Sequence, residues 1–380
     1  MRVSARALSL VALAAIFLVG RATAAPEIFH SSAGELAVET VAHGLVHPWS
    51  LAFLPDGRML VTERSGRMRI VARDGKLSPP VAGVPKVFER SQAGLLDVAL
   101  DREYAKNATI YFCYNADSSS NVAVARARLS ANGAPRLEDV KIIFRQKGPP
   151  SPGALNVACR IAQGSDGNLF VSLGDHFRPS KDAQNLSDDI GKIVRIRPDG
   201  SVPPGNPFAD KPGARPEIWS YGHRNAEGLA FNPADGKLWE QEHGPMGGDE
   251  INIIEKGKNY GWPLVSYGVN YDGTPVGHGK THQAGTVQPV WHWTPSIAPS
   301  GMAFYDGKLF PAWRGSLFNG ALKFELLSRL TLQGEKVVHE ERLLHGLRER
   351  IRDVREGPDG AIYLLTDNSK GRILRIAPAK

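Results

Sequence analysis

Cysteine is scarce: the 380 residues contain two, Cys113 and Cys159. Two thiols do not make a thiolate metal cluster, and no Cys-x-x-Cys-His run offers covalent haem attachment. In an oxidising compartment the pair could bridge, but sequence does not give the distance between their Cα atoms. They read as two buried thiols in neighbouring strands. Long apolar runs are equally scarce. Residues 7–20 form one, too short for a comfortable membrane span. Arg2 and Arg6 precede it and the small residues Ala22-Thr23-Ala24-Ala25 follow it. That is the pattern of a cleaved signal peptide over residues 1–24, with an uncleaved anchor as the alternative. It makes the mature chain periplasmic or secreted. Basic clusters are missing too. The formal net charge is +7, yet Lys and Arg are scattered, and the densest stretch, 342–355, is broken by carboxylates and apolar residues. With no basic helix or recognition motif, nucleic-acid binding is excluded. Sustained helical periodicity is also absent.

What is present is a repeated turn-and-strand unit. Asp56-Gly57 precedes the alternating run Arg58 to Glu63, and Asp166-Gly167, Asp235-Gly236, Asp306-Gly307 and Asp359-Gly360 precede similar runs. A degenerate copy begins at Asp101. Asp-Gly is a hairpin signal and short alternation a strand signal. Repetition of a hairpin along the chain points to a solenoid or propeller. Six copies predict an all-β, six-bladed β-propeller occupying residues 25–380 as one domain. A strand near residues 35–41 is expected to pair beside 373–376, closing the ring and hiding an edge. Loops at 177–189 and 259–295 are long for a compact fold, and long loops usually carry function.

One hairpin, around Asp235-Gly236, is flanked by polar groups that a scaffold does not need. Tyr221-Gly222-His223-Arg224-Asn225 precedes it; Glu242-His243-Gly244-Pro245, Gly247-Gly248-Asp249-Glu250 and Asn259-Tyr260-Gly261-Trp262-Pro263 follow. An Arg-Asn pair suits carboxylate or quinone oxygens. A Gly-Pro pair leaves backbone carbonyls uncovered, and these are hard ligands of the kind Ca²⁺ takes. In this order the motifs resemble the soluble pyrroloquinoline quinone (PQQ)-dependent aldose sugar dehydrogenases, the glucose/sorbosone dehydrogenase family. The resemblance runs from about residue 47 to about residue 376.

The resemblance implies the same six-bladed fold, with PQQ lying over the propeller axis and a Ca²⁺ touching it. It assigns cofactor contacts to Gln92, Arg224, Asn225, Ser296, Lys323, Arg350 and Arg352. Three arginines and a lysine suit a cofactor with three carboxyl groups, and the i, i+2 spacing of Arg350 and Arg352 sends both to one face of a strand. Gly244 and Pro245 match the carbonyls that hold the PQQ calcium, and Glu250 and Tyr260 match a second, structural calcium site. Tyr271 and Trp291 are candidates for stacking on sugar or cofactor, or for core packing.

The chain departs from the family at the catalytic base. The family motif Asn-His-Phe-Gly-Gly-Arg-Leu is here Leu155-Asn156-Val157-Ala158-Cys159-Arg160-Ile161, so Asn156 replaces the histidine. Asparagine accepts no proton near neutral pH. Three explanations stand: His176 or Asp175, on the matching loop, substitutes; the substrate and base differ; or the protein binds cofactor without turnover. The reaction implied by the resemblance is oxidation of an aldose at the anomeric carbon to a lactone, with electrons leaving to an acceptor, in a monomer or homodimer. The rivals are a non-catalytic PQQ- or sugar-binding propeller and a metal-dependent lactonase. The lactonase would need a carboxylate-rich axis, whereas the matched residues are basic.

Overall fold

Short alternating runs, joined by Asp-Gly turns in four cases, fold into six small antiparallel sheets; the run expected directly after Asp306-Gly307 is not a strand, and that blade's second strand is Leu317–Ala321. The computed structural model describes residues 25–178 and 181–379; the signal peptide read at 1–24 lies outside them. Each sheet begins with an inner strand: Pro48–Phe53, Leu95–Leu100, Ile161–Gln163, Ala226–Phe231, Pro299–Phe304 and Ile351–Glu356. Each inner strand touches the next around a closed ring, so the sheets are the blades of a six-bladed β-propeller. Gly57, Gly167, Gly236 and Gly360 sit in the Asp-Gly turns with φ of 82°, 80°, 72° and 77°, a region open mainly to glycine.

The ring closes as expected. Gly34–Leu45 pairs antiparallel with Gly371–Pro378, Val38 standing opposite Ile376, and Glu27–Ser31 adds a further strand outside it. The first blade has three strands; residues 78–81 bond onto its outer edge through Ser78 N to Ile70 O (2.8 Å) and Val81 N to Met68 O (2.9 Å). The 259–295 stretch is not loop throughout, because Trp291–Trp293 forms the outermost strand of the fourth blade.

Second strands such as Met59–Glu63, Leu169–Leu173, Leu238–Glu242 and Leu317–Ala321 are buried at every position. The reason is that a blade packs on both faces. Apolar side chains gather between neighbours: Leu60 and Met68 with Phe112 between the first two blades, Val171 and Leu173 with Tyr111 and Cys113 between the next two. Cys113 and Cys159 are not separate thiols; they are disulfide-bonded, with Cα atoms 6.5 Å apart. Cys159 lies just ahead of the third inner strand, and Cys113 faces it from the second blade's next strand.

The axis is lined by charge in balance rather than by a basic set. Arg160 Nη1 meets Asp97 Oδ1 at 3.1 Å and Asp353 Oδ1 at 3.0 Å. Arg352 bridges Glu227 (2.5 Å) and Asp367 (2.8 Å), and Arg355 reaches Asp97 and Asp353. These partners come from the second, third, fourth and sixth blades, so the network ties the inner strands together. No helix among the described residues is long and apolar enough to cross a membrane.

Candidate functional site

In an antiparallel blade the start of the inner strand and the end of the second strand lie at the same end. The candidate residues use both positions. Gln92, Asn156, Arg224, Asn225, Ser296 and Arg350 stand shortly before inner strands. Asp175, Gly244, Pro245 and Lys323 stand shortly after second strands. Backbone bonds tie these loops together: Gln92 N to Ala154 O (3.2 Å), Asp175 N to Arg224 O (2.7 Å), His243 N to Asn225 O (3.1 Å) and Lys323 N to Ile297 O (3.1 Å). One face of the ring therefore carries the whole set.

At that face a cleft of about 390 Å³ is lined by Asp175, Phe177, Arg178, Arg224, Pro245, Trp262, Asn270, Tyr271 and Asp272. Its size falls within the roughly 300–1,000 Å³ usual for small-ligand sites. Arg224 is buried, its guanidinium 5.3 Å from the Trp262 ring. Its Nη1 donates to His243 O (2.9 Å) and Gly244 O (3.0 Å), while its Nε is buried without a partner. Tyr271 is 60% exposed at the rim, 5.8 Å from the Phe177 ring.

Asn156 is buried, with φ of 49°. Its backbone N–H donates to Gln92 Oε1 (2.6 Å) and its Nδ2 to Asp175 Oδ1 (2.8 Å). Asp175 also accepts from Phe177 N (2.8 Å) and, on Oδ2, from Trp262 Nε1 (2.8 Å). Burial pushes its carboxyl above the usual range, against the opposing pull of Arg224 and these donors. The neighbouring His176 points the other way. It is fully buried against Pro149 O (3.0 Å) and Gln146 Oε1 (3.2 Å), and burial brings its pKa down to about 4.

The remaining candidates are placed less centrally. Asn225 spends its amide on Ala158 N (3.1 Å) and Glu227 Oε1 (3.2 Å). Ser296 is buried and donates to Asp249 Oδ1 (2.9 Å). Lys323 is exposed; Arg350, half-exposed, donates to Leu322 O (2.9 Å). Arg350 and Arg352 do share a face, converging on Asp367, but Arg352 is buried in the axial network. Trp291 packs against the core between the fourth and fifth blades, so of its two readings the structure places it in packing.

Behind the cleft lies a second constellation. Strand Leu238–Glu242 pairs with Asp249–Ile254 so that Glu240 faces Asn252 and Glu242 faces Glu250. The i, i+2 spacing puts all four on one face of the blade. Ligand atoms of His223, Glu240 and Glu242 lie within 4.8 Å of one another, all buried. Tyr260 closes the group, its ring stacked on His223 at 4.7 Å and its hydroxyl turned away to Ile253 O (2.6 Å). Glu240 Oε1, His223 Nδ1 and Asn252 Oδ1 have no partner. Burial pushes Glu240 and Glu242 well above the usual carboxylate range and Glu250 up to about 8; it lowers His223 to about 3. Buried carboxylates with unpaired oxygens fit a bound cation. The sequence reading named Glu250 and Tyr260 here and missed His223, Glu240 and Glu242. The alternation of Glu240 and Glu242 around an intervening Gln241 was the available signal. It also missed Trp262, although that residue lies in a quoted motif.

Comparison with known proteins bears on this geometry. The family model described as Glucose / Sorbosone dehydrogenase matches residues 45–375. The aldose sugar dehydrogenase YliI of Escherichia coli (strain K12) is 45% identical over 347 residues, 90% of this chain and 92% of that protein. A crystal structure of the soluble aldose sugar dehydrogenase from Escherichia coli in the apo-form superposes with a TM-score of 0.86 at 43% identity, covering 90% of this chain and all of that one (100%). The PQQ-bound aldose sugar dehydrogenase from Streptomyces coelicolor gives 0.75 at 30% identity, over 90% and 98% of the two chains.

Proposed function

The chain belongs to the glucose/sorbosone dehydrogenase family, and from that premise we propose that it oxidises aldose sugars at the anomeric carbon to lactones with PQQ as cofactor. The observation that carries the reading is the cleft in which Arg224, with its buried unpartnered Nε, stands beside Trp262 and Asp175. A buried guanidinium with a spare donor suits a planar polycarboxylate. Arg224 would hold and orient PQQ there, with Tyr271 at the rim, and Lys323 and Arg350 would add positive charge around it. Gln92, bonded to the Asn156 backbone, would fix the loop on which the sugar rests. When bound, PQQ supplies an electrophilic quinone that accepts hydride.

Two calcium positions complete the reading. The Gly244 and Pro245 carbonyls would hold one ion beside the cofactor, polarising it as a Lewis acid. Arg224 Nη1 covers the Gly244 carbonyl, so this guanidinium would have to share that oxygen with the ion. The Glu250 carboxylate and the Tyr260 backbone carbonyl, joined by Glu240 and Glu242, would hold the structural ion. We place the mature chain in the periplasm or outside the cell on the pattern of residues 1–24.

A second reading, a propeller that binds PQQ or sugar without turnover, is favoured by Asn156 at the histidine position. A metal-dependent lactonase is disfavoured because the axial carboxylates Asp97, Glu227 and Asp353 are paired with arginines. The test is dye reduction over a panel of aldoses after adding PQQ and Ca²⁺ to the purified protein. Saturable turnover supports the dehydrogenase. PQQ binding without turnover supports the binder; no PQQ binding contradicts the dehydrogenase and the PQQ binder and leaves only a sugar binder.

A further inference from the structure

We propose that Asp175 is the catalytic base of this chain, accepting the anomeric hydroxyl proton that a histidine at position 156 would otherwise take. The assignment rests on the sugar-oxidation reading above. Among the carboxylates and histidines named on this face, Asp175 alone combines a place in the cleft with seclusion from water. Asp272 also lines the cleft but is exposed, and Thr274 binds its Oδ1 through both N–H (2.9 Å) and hydroxyl (2.6 Å), holding its carboxyl below the usual range. His176 is turned into the protein onto Gln146 and Pro149. His243 is directed at the Pro299 carbonyl.

Asp175 is also held in place. Gly174 lets its loop press against the loops that lead into the third and fourth inner strands: a Cβ there would lie 2.0 Å from Asn156 O and 2.8 Å from Asn225 Oδ1. Asn156 and Phe177 fix Oδ1, and Trp262 fixes Oδ2. Arg224 faces it from the loop before the fourth inner strand, and Arg178 lines the same cleft. Three donors leave lone-pair capacity on a carboxylate, which has about four acceptor sites. Burial raises its proton affinity, which suits a base working near neutral pH. Asn156 is then not a defective base but a neutral donor that orients one.

The anomeric O–H bond breaks and its proton goes to Asp175. The O–H electron pair becomes the second C–O bond of the lactone. The anomeric hydrogen leaves with its electron pair as hydride, for which an ortho-quinone is the oxidant.

The test uses wild type, Asp175→Asn and Asp175→Ala, each with PQQ affinity measured by fluorescence titration. Asp175→Asn is expected to lower kcat roughly 10²–10⁴-fold with KM and PQQ affinity little changed. Formate is expected to restore part of the rate in Asp175→Ala, a rescue that a structural role does not give. Infrared difference spectra of the apoprotein across pH give a second readout: a protonated-carboxyl band, additional to that of the Glu240, Glu242 and Glu250 cluster, present in wild type and absent from Asp175→Asn. Unchanged kcat in Asp175→Asn, absence of formate rescue, or persistence of that band overturns the assignment. Wild type that binds PQQ but turns over no aldose overturns Asp175 while leaving the cofactor reading intact; failure to bind PQQ overturns both.

Discussion

Asn156 donates its side-chain N–H to Asp175 across 2.8 Å, so the residue we align with the family's histidine is bonded to the carboxylate that lines the cleft. A donor to a carboxylate stabilises its charged form. Asn156→Ala removes that donor. The account predicts that the pH at which activity rises moves upward by roughly one unit, the scale of one charge-assisted hydrogen bond. A pH–rate profile of the two proteins checks it; a downward move contradicts the pairing.

Calcium removal is expected to loosen the fourth blade. Glu240, Glu242 and Glu250 are buried with one neutral histidine beside them. A cation present at about 100 times its Kd contributes about 2.7 kcal/mol. Chelation should therefore lower Tm by several degrees, with recovery on adding Ca²⁺. Glu242→Gln should shrink that response. A melting curve indifferent to chelator would contradict a cation in the cluster.

His176 makes a pH prediction with a definite sign. Its folded pKa is depressed to about 4, below the unfolded value of 6.5. Between these values the unfolded chain binds a proton that the native chain refuses. The stability it confers is full above pH 6.5 and is lost as pH falls towards 4, a change of about 3 kcal/mol at most. His176→Gln should flatten that part of the acid limb in denaturant titrations. An acid limb of unchanged slope would show that His176 is not buried neutral.

The Cys113–Cys159 bond closes a loop with a sequence separation of 46. Bridges of this kind contribute about 2–4 kcal/mol. The Cys113→Ala, Cys159→Ala double variant should lose that much in urea unfolding. Equal midpoints for oxidised and double-variant protein would contradict a stabilising bond.

Much of this was legible because strand period and turn chemistry are local. Asp-Gly turns located four of the six blades, whereas the run after Asp306-Gly307 is not a strand and the fifth blade's second strand begins only at Leu317; the pairing of Gly34–Leu45 with the last strand followed from the need to close the ring. Arg224 and Glu250 were legible through their motifs. What was not legible depends on register and on side-chain direction. Nothing in the sequence states that Glu242 stands opposite Glu250, which is what joins the two into one cluster. Asp175 and His176 are adjacent, and only the folded loop decides which enters the cleft. The demands on Arg352 likewise come from Asp367, just past the end of the neighbouring strand, and from Glu227, which meets it across the closed ring. Cys113 and Cys159 sit on different blades, so their approach is a product of blade packing.

The central claim is that the cleft beside Arg224 takes PQQ. The most direct measurement is a crystal structure of the protein with PQQ and Ca²⁺, paired with the PQQ dissociation constant of wild type and Arg224→Lys. The account predicts cofactor density in the cleft bounded by Arg224, Trp262 and Tyr271, and an affinity loss of roughly 10–100-fold in the variant, because lysine cannot reproduce the planar guanidinium. Density elsewhere, or equal affinity in the two proteins, would contradict it.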